Sequence, residues 1–239
     1  MLIALISDIH SNWEALQAVW KEVKYADVIL CMGDLVGYGA SPNEVVEFVR
    51  KQMEERTLLC VRGGNHDNAV AFGADWGGFN PYAREAVRWH QWVMKSENLE
   101  FLRRLPPVRQ LFTDDRERSY LLIHGSPPRA PLDEYLFPWL PESEFRSVLN
   151  YVRQDDLLVG HTHISMLKVI DGRRIINPGS VGQPRDGDWR ASYALMDTDE
   201  EPPENVEFHR VEYDVEEAAR KIIEEGLPRF LANRLFEGL

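Results

Sequence analysis

Cysteine is almost absent from this chain of 239 residues, which contains only Cys31 and Cys60. Both lie in short apolar runs, where a cysteine usually behaves as a small buried hydrophobic residue. Two cysteines make no disulfide framework, so the sequence excludes the small cross-linked secreted domains and favours two buried thiols over a disulfide. A reducing cytoplasm is the expected location.

Long apolar runs are missing as well. No segment approaches the roughly 20 apolar residues that a membrane-spanning helix needs. The opening residues, MLIALISD, reach an acidic side chain early and lack the basic leader of a signal peptide. We therefore expect no membrane partner.

Positive charge is in deficit. The 27 lysines and arginines face 39 aspartates and glutamates, which gives a net charge of -12. Such a surface repels a phosphate backbone at long range, so nucleic acid is disfavoured as a partner. Bound cations could still make one cleft locally positive. The sequence gives no indication of oligomeric state.

Short apolar runs alternate with helical patterns over the first sixty residues. The runs begin at Leu2, Val28 and Leu58, with amphipathic segments from Trp13 and Val45 between them. This order predicts a βαβαβ unit and a parallel sheet. Strand patterns dominate after residue 108, and Asp171-Gly172 between two apolar runs predicts an antiparallel hairpin.

Helical patterns flank this second set of strands. The pattern predicts a helical insertion at about 69–105 and a C-terminal helical tail at about 215–239. Trp89 and Trp92 are interpreted as packing residues, and His90 as a partly buried histidine beside them. The chain lacks a linker and contains 44% hydrophobic residues, so residues 1–239 are predicted to form one domain.

Polar residues with metal-binding side chains end successive apolar runs. Ligands of open α/β sheets bind beyond the carboxyl ends of the strands, so these residues are expected to meet. Behind the apolar runs stand Asp8, His10, Asp34, Asn65, His66, Asp67, His124, His161, His163, Asn177 and Ser180. Five of the seven histidines belong to this set.

The chemistry of these side chains points to divalent metals. A mixture of carboxylate, imidazole and amide suits Mn, Fe, Zn, Ni or Co, whereas an all-oxygen set suits Mg or Ca. Seven candidate ligands are too many for one tetrahedral ion with an open position, but they fit two ions bridged by a carboxylate. Each motif alone is weak, because an Asp-x-His after a strand is more often structural.

The ordered series DIH, GD, GNHD, H and GHTH resembles the calcineurin-like metallophosphoesterases, and in particular their small bacterial and archaeal members. The similarity runs from about Ile3 to Gly182. It implies an α/β fold, a four-layer αββα sandwich with two mixed β-sheets flanked by helices. It also implies a metal-dependent hydrolase that acts on a phosphomonoester or phosphodiester.

The resemblance assigns roles to individual residues. The first metal would be held by Asp8, His10 and His163, the second by Asn65, His124 and His161, and both by Asp34. His66 would remain unliganded and assist the leaving group, while a hydroxide bridging the metals attacks phosphorus. Manganese is the ion expected to support activity in vitro.

Other residues near these motifs have more than one possible role. Asn12, which follows DIHS, and Arg185, in the loop INPGSVGQPR, could contact the substrate, although a surface arginine is the alternative for Arg185. The loop from Asn177 to Ser180 resembles one that lies near the metals in small family members. Asp67 could orient a histidine or stabilise a helix N-terminus.

Two features depart from relatives. Protein phosphatases and diadenosine tetraphosphatases carry an acid or amide and an arginine in a block of the form GDxVDRG or close to it, whereas this chain has GDLVGYG, with Gly37 and Tyr38 in those places. Those substrate classes therefore lose support. Gly63 adds a second glycine before Gly64-Asn65-His66-Asp67, and the sequence offers no explanation for it.

Three alternatives stay open. The fold could serve as a non-catalytic scaffold, although no ligand is missing from the set. A protein phosphatase or nucleotide hydrolase and a nuclease are the others, the nuclease being weakened by the acidic balance. The segments at 69–105 and 127–140 are rich in aromatic residues and proline, and they are expected to determine which small phosphoester binds.

Overall fold

The computed structural model describes residues 1–55, 57–73, 78–106, 109–127 and 135–239, with only the backbone described at 109–112. The predicted strand start at Val108 lies outside the described residues. The strands are β1 Leu2–Ile6, β2 Val28–Cys31, β3 Leu58–Cys60, β4 Arg109–Thr113, β5 Ser119–Ile123, β6 Asp156–Leu158, β7 Ser165–Ile170, β8 Arg173–Pro178, β9 Ala191–Asp197 and β10 Val206–Val211. The α-helices are α1 Trp13–Val23, α2 Pro42–Glu54, α3 His66–Phe72, α4 Pro81–Val93, α5 Ser96–Arg104, α6 Glu142–Leu149, α7 Val215–Glu224 and α8 Arg229–Asn233, followed by a 3₁₀ turn at Arg234–Phe236.

The first sheet has the strand order β10-β9-β1-β2-β3. Its three N-terminal strands are parallel, with Ile3 opposite Val28 and Cys31 opposite Cys60. Strands β9 and β10 extend the other edge in antiparallel pairing. The predicted βαβαβ unit is therefore present, and its strands are apolar throughout because the parallel part is covered on both faces.

The second sheet has the order β4-β5-β6-β8-β7 and is also mixed. Strands β5, β6 and β8 are parallel, and β7 pairs with β8 in antiparallel register. The tight turn between β7 and β8 places Asp171 at φ 53° and Gly172 at φ 78°. These are the left-handed conformations that the Asp-Gly pair predicted for a two-residue hairpin.

The two sheets pack face to face. Between them lies a core with Leu5 and Leu30 from the first sheet and Leu122 and Ile176 from the second. Helices α1 to α5, α7 and α8 cover the outer face of the first sheet, and α6 covers that of the second. The predicted four-layer αββα sandwich is confirmed.

Helices α4 and α5 lie in the segment predicted as an insertion, and α7, α8 and the 3₁₀ turn lie in the predicted tail. Trp89 packs against the core, but Trp92 is 82% exposed, so the prediction that both tryptophans pack was wrong for Trp92. The amphipathic stripe of α4 is narrower than its sequence suggested. That residues 1–239 form one domain stays a prediction.

Both cysteines are free and buried in the core, as expected. They lie opposite each other on β2 and β3. Burial raises the pKa of the Cys60 thiol well above its usual range. Among the described residues, none of the helices has the length and apolar character required to cross a membrane.

Candidate metal centre

The predicted ligands follow the carboxyl ends of five strands from both sheets. Asp8 and His10 come after β1, Asp34 after β2, Asn65 and His66 after β3, His124 after β5, and His161 and His163 after β6. All are buried except Asn65, which is half-buried. The sandwich thus brings side chains more than 150 positions apart into one centre.

The side-chain donor atoms form three overlapping groups, each spanning no more than 4.8 Å. One group contains Asp8, His10 and His163, another contains Asp34, His124 and His161, and a third contains His10, Asp34 and His66. Asp34 belongs to the second and third groups, and its Oδ2 lies 3.7 Å from the Nε2 of His10 in the first group, so its carboxylate stands between the two sets of donors. These clusters could bind metal.

Backbone carbonyls fix the orientation of three imidazoles. The ring Nδ1 atoms of His10, His124 and His163 lie 2.9, 2.8 and 2.5 Å from the carbonyl oxygens of Val36, Met32 and Gln183. A carbonyl can only accept, so each Nδ1 carries a proton and each Nε2 is the ring atom that faces the centre, where it can offer a lone pair to a metal ion. This is the tautomer that a metal-binding histidine needs.

Side-chain donor atoms lie close together in this centre. The Nε2 atoms of His10 and His163 are 3.0 Å apart, and the Nε2 of His163 is 3.2 Å from the carboxylate of Asp8. Ligands around an ion bound at about 2.0–2.2 Å have neighbours at roughly this spacing. The donor set therefore fits a cation.

Both buried aspartates are held in the charged form. Burial alone would raise their pKa values, but the nearby histidines lower the pKa of Asp8 and of Asp34 well below the usual range. The His124 Nε2 lies 3.1 Å from Asp34 Oδ2. Asp34 Oδ1 and the Asn65 side-chain oxygen are buried without a hydrogen-bond partner, which leaves two oxygens free to bind a metal.

The backbone at the centre is strained. Nine described residues other than glycine have positive φ, and five of them are predicted ligands: Asp8, His10, Asp34, His161 and His163. Such conformations cost on the order of 1–3 kcal/mol each and cluster at functional sites. The tight turns after β1, β2 and β6 aim these side chains at a common point.

His66 lies at the rim of this centre. Its ring contacts those of His10, Tyr38 and Phe79, with centroids 4.9, 4.5 and 4.6 Å apart. Burial lowers the pKa of His66 well below its usual value, so the ring is neutral. A Cβ at Gly37 would stand 2.3 Å from the His66 Nδ1, so the glycine that replaces an acid in this block makes room for the imidazole.

Gly63, the second glycine before the candidate ligand Asn65, is required for a steric reason that the sequence alone does not show. A Cβ at Gly63 would lie 2.0 Å from Asp34 Oδ1 and 2.4 Å from the Asp34 backbone nitrogen. Real Cβ atoms do not approach other atoms so closely. Only glycine at position 63 lets the turn after β3 pass beside the Asp34 carboxylate.

The Asp67 carboxylate binds backbone amides of two neighbouring turns. Its two carboxylate oxygens accept hydrogen bonds from the Val36 and Gly63 amides, at 3.1 and 2.8 Å. Burial and the charge of Asp34 raise the pKa of Asp67 to about 6. The residue stands in the first turn of α3 and ties the turn after β2 to the turn after β3.

His90 is a positioning residue that sequence reasoning missed. It lies on α4, fully buried, and its Nδ1 accepts from the Gly37 amide at 3.0 Å while its Nε2 donates to the Gly39 carbonyl at 2.7 Å. It thereby fixes the loop GDLVGYG. The sequence around His90 shows only an amphipathic helix, so its partners could not be read from it.

The end of β8 and the loop that follows it support the centre through hydrogen bonds. The Asn177 amide donates to the Gly160 carbonyl at 2.7 Å, and the Ser180 hydroxyl donates to the Asp8 carbonyl at 2.7 Å. Asn12 caps α1 by accepting from the Ala15 amide and donates to the Gly182 carbonyl. These bonds give Asn12 a structural role, and its contact with substrate stays a prediction.

A cavity of about 540 Å³ opens beside the centre. Its wall includes the metal-ligand candidates Asn65 and His161, the aromatic residues Phe79 and Tyr135, and Arg185. Phe79 belongs to the segment 69–105 and Tyr135 to 127–140, where 128–134 lie outside the described residues. The two segments expected to set specificity therefore contribute to the cavity that holds the candidate ligands.

Comparison with known proteins finds a matching family domain and a similar archaeal sequence. Residues 1–201 match the calcineurin-like phosphoesterase superfamily domain. The chain is 40% identical to an uncharacterized protein of Methanocaldococcus jannaschii over 255 aligned residues, which cover 99% of this chain and 98% of that protein.

Two crystal structures resemble the whole fold. A metallophosphoesterase from Sphaerobacter thermophilus shares 36% identity with a TM-score of 0.80, covering 100% of this chain and 99% of its own. A hypothetical protein from Pyrococcus horikoshii shares 23% identity with a TM-score of 0.89, covering 100% and 98%. The second similarity is one of fold alone.

Proposed function

The chain belongs to the calcineurin-like phosphoesterase superfamily, and we propose that it hydrolyses a small phosphomonoester or phosphodiester with two divalent metal ions. The observation that carries this proposal is the position of Asp34, which clusters with His124 and His161 and also lies 3.7 Å from the Nε2 of His10, a member of the cluster with Asp8 and His163. Asp8, His10 and His163 would bind one ion, and Asn65, His124 and His161 the other. We propose manganese as the ion that supports activity in vitro and the cytoplasm as the location.

The metals would supply a hydroxide nucleophile near neutral pH and charge stabilisation at phosphorus. The chain's own residues prepare the site for them. Carbonyl bonds hold the Nε2 lone pairs of His10, His124 and His163 inward. Burial of these side chains lowers the local dielectric and so strengthens the electrostatic interactions among them.

His66 would assist the leaving group. Its ring stands beside His10 and Asp34, and the same cavity wall that holds Asn65 and Phe79 adjoins it. A neutral imidazole carries one N–H, which can donate to the oxygen that accumulates charge as the phosphoester bond breaks. Because burial keeps the ring neutral, this hydrogen bond is the role we favour over proton transfer.

The test uses stripped protein reloaded with manganese and two chromogenic esters, p-nitrophenyl phosphate and bis-p-nitrophenyl phosphate. We expect turnover of at least one ester. Asp34→Asn should lose metal and activity while staying folded, and His66→Ala should lower turnover about 10²- to 10⁴-fold while keeping metal. His209→Ala, on β10, is the matched control and should change neither.

The outcomes separate this proposal from its alternatives. Full activity and two metal equivalents in Asp34→Asn would refute the shared carboxylate. Less than one metal equivalent in the wild-type protein, with no turnover of either ester, would favour a non-catalytic scaffold. A protein phosphatase, a nucleotide hydrolase or a nuclease would be revealed by a panel of phosphopeptides, nucleotides and single-stranded DNA.

A further inference from the structure

Two arginines converge on one tyrosine beside the candidate metal centre. The guanidinium carbons of Arg185 and Arg234 each lie 5.7 Å from the centre of the Tyr38 ring. Arg185 also donates to the Tyr38 hydroxyl at 3.2 Å and to the Gln183 side-chain oxygen at 3.1 Å. Tyr38 itself is buried and packs against His10 and His66.

No acidic side chain within the described part of the chain forms an ion pair with either of these arginines. The buried Arg174 differs, since it makes a two-pronged ion pair with Asp156. The Arg185 Nε is buried without a hydrogen-bond partner, and the Arg234 Nε donates to a backbone oxygen of Leu239, the last residue of the sequence. Burial, and then the charge of Arg185, lowers the pKa of Arg234 to about 10. Two like charges are thus held together, and no acidic side chain of the described residues neutralises either of them.

The pair faces the cavity that also exposes the metal-ligand candidates. Arg185 and Arg234 line the wall with Asn65 and His161. The Arg185 amide donates to the His163 carbonyl at 3.2 Å, which connects the loop to that ligand directly. An anion bound by the arginines would therefore lie within the same cavity as the reacting group.

We propose that Arg185 and Arg234 form an anion clamp that binds the terminal oxygens of a dianionic phosphate group, and so selects phosphomonoesters over phosphodiesters. This inference rests on the proposed function. Arg234 lies in the C-terminal segment, beyond the residues 1–201 that match the family domain. The clamp supplies the guanidinium that GDLVGYG lacks, where Tyr38 stands in place of an arginine.

The charge of the substrate decides between the two ester classes. A phosphomonoester carries close to two negative charges at neutral pH and three terminal oxygens, and the guanidinium fork matches these oxygens in pairs. A phosphodiester carries one charge and two terminal oxygens. Two guanidiniums beside the candidate metal centre, neither paired with a described acidic side chain, therefore favour the monoester.

The experiment measures kcat/KM for p-nitrophenyl phosphate and bis-p-nitrophenyl phosphate in Arg234→Met, Arg185→Met and Arg234→Lys. Removing one charged hydrogen-bond donor should lower the monoester rate about 10- to 100-fold. The diester rate should fall much less, so the ratio between the two esters changes. Arg234→Lys should lower the monoester rate less than Arg234→Met does, because lysine keeps the positive charge but lacks the two-pronged guanidinium. Arg229→Met, an exposed arginine at the start of α8, is the matched control.

Binding of inorganic phosphate to the protein as purified, measured by titration calorimetry, tests the clamp without turnover. Arg234→Met should weaken this binding at least about 10-fold, and Arg229→Met should not change it. Unchanged phosphate binding, or equal loss for both esters in Arg234→Met, would overturn the clamp. Loss of phosphate binding in a protein that hydrolyses neither ester would keep the clamp and refute the proposed function.

Discussion

Replacing Gly63 by alanine tests how tightly the turn after β3 is fitted to the Asp34 carboxylate. The new Cβ would stand 2.0 Å from Asp34 Oδ1, about 1.4 Å short of the 3.4 Å at which ordinary van der Waals contact begins. The backbone nitrogen of Asp34, at 2.4 Å, blocks the other direction. Asp34 must therefore retreat by about 1 Å or more.

A retreat of that size is large for a metal site. Metal–ligand distances hold to within about 0.2 Å, and a misplacement of about 1 Å can cost roughly 10²-fold in rate. We expect Gly63→Ala to lose most of its metal and at least about 10²-fold in kcat. Overpacking should lower the free energy of unfolding by only about 1–3 kcal/mol, so the protein stays folded.

The assay combines elemental analysis, ester hydrolysis and urea unfolding, with Gly226→Ala as the control. Gly226 has φ 74° and open space around its Cα, so alanine there costs about 1–2 kcal/mol of backbone strain without touching the centre. The control should lose stability and keep metal and rate. Wild-type metal content and rate in Gly63→Ala would refute the steric argument.

Three further predictions address the support of the site. His90→Phe removes both hydrogen bonds to the GDLVGYG loop. It should lower turnover with metal retained, and it should lower the free energy of unfolding in urea by about 2–4 kcal/mol. Burial lowers the pKa of His90 from 6.5 to about 4. The free energy of unfolding should therefore fall by up to about 3 kcal/mol between pH 6.5 and pH 4, because the unfolded state binds the proton first. In His90→Phe this dependence on pH should be weaker. Asp156→Asn leaves the buried Arg174 without its ion pair, so it should cost about 3–5 kcal/mol at unchanged metal content. Chelation should lower the free energy of unfolding by about 3–4 kcal/mol, reversibly on addition of manganese, and an unchanged melting temperature would argue against bound metal.

Sequence periodicity predicted most of the fold because burial leaves a clear pattern along the chain. The parallel strands β1 to β3 appear as short apolar runs, and the hairpin at Asp171-Gly172 follows from the conformations that those two residues adopt. Trp92 was misjudged because an amphipathic pattern does not fix the width of the face that a helix buries.

The sequence by itself determined which side chains could bind metals, since the ligand types and their places after strands are local properties of the chain. Only the tertiary structure decided what supports and surrounds them. His90 reaches the loop from 51 positions away, and Arg234 meets Arg185 across the ring of Tyr38. Such contacts depend on how separate elements pack, and nothing near either residue in the sequence records them. The steric need for Gly63 is of the same kind, because the atom that it must avoid belongs to a different strand end.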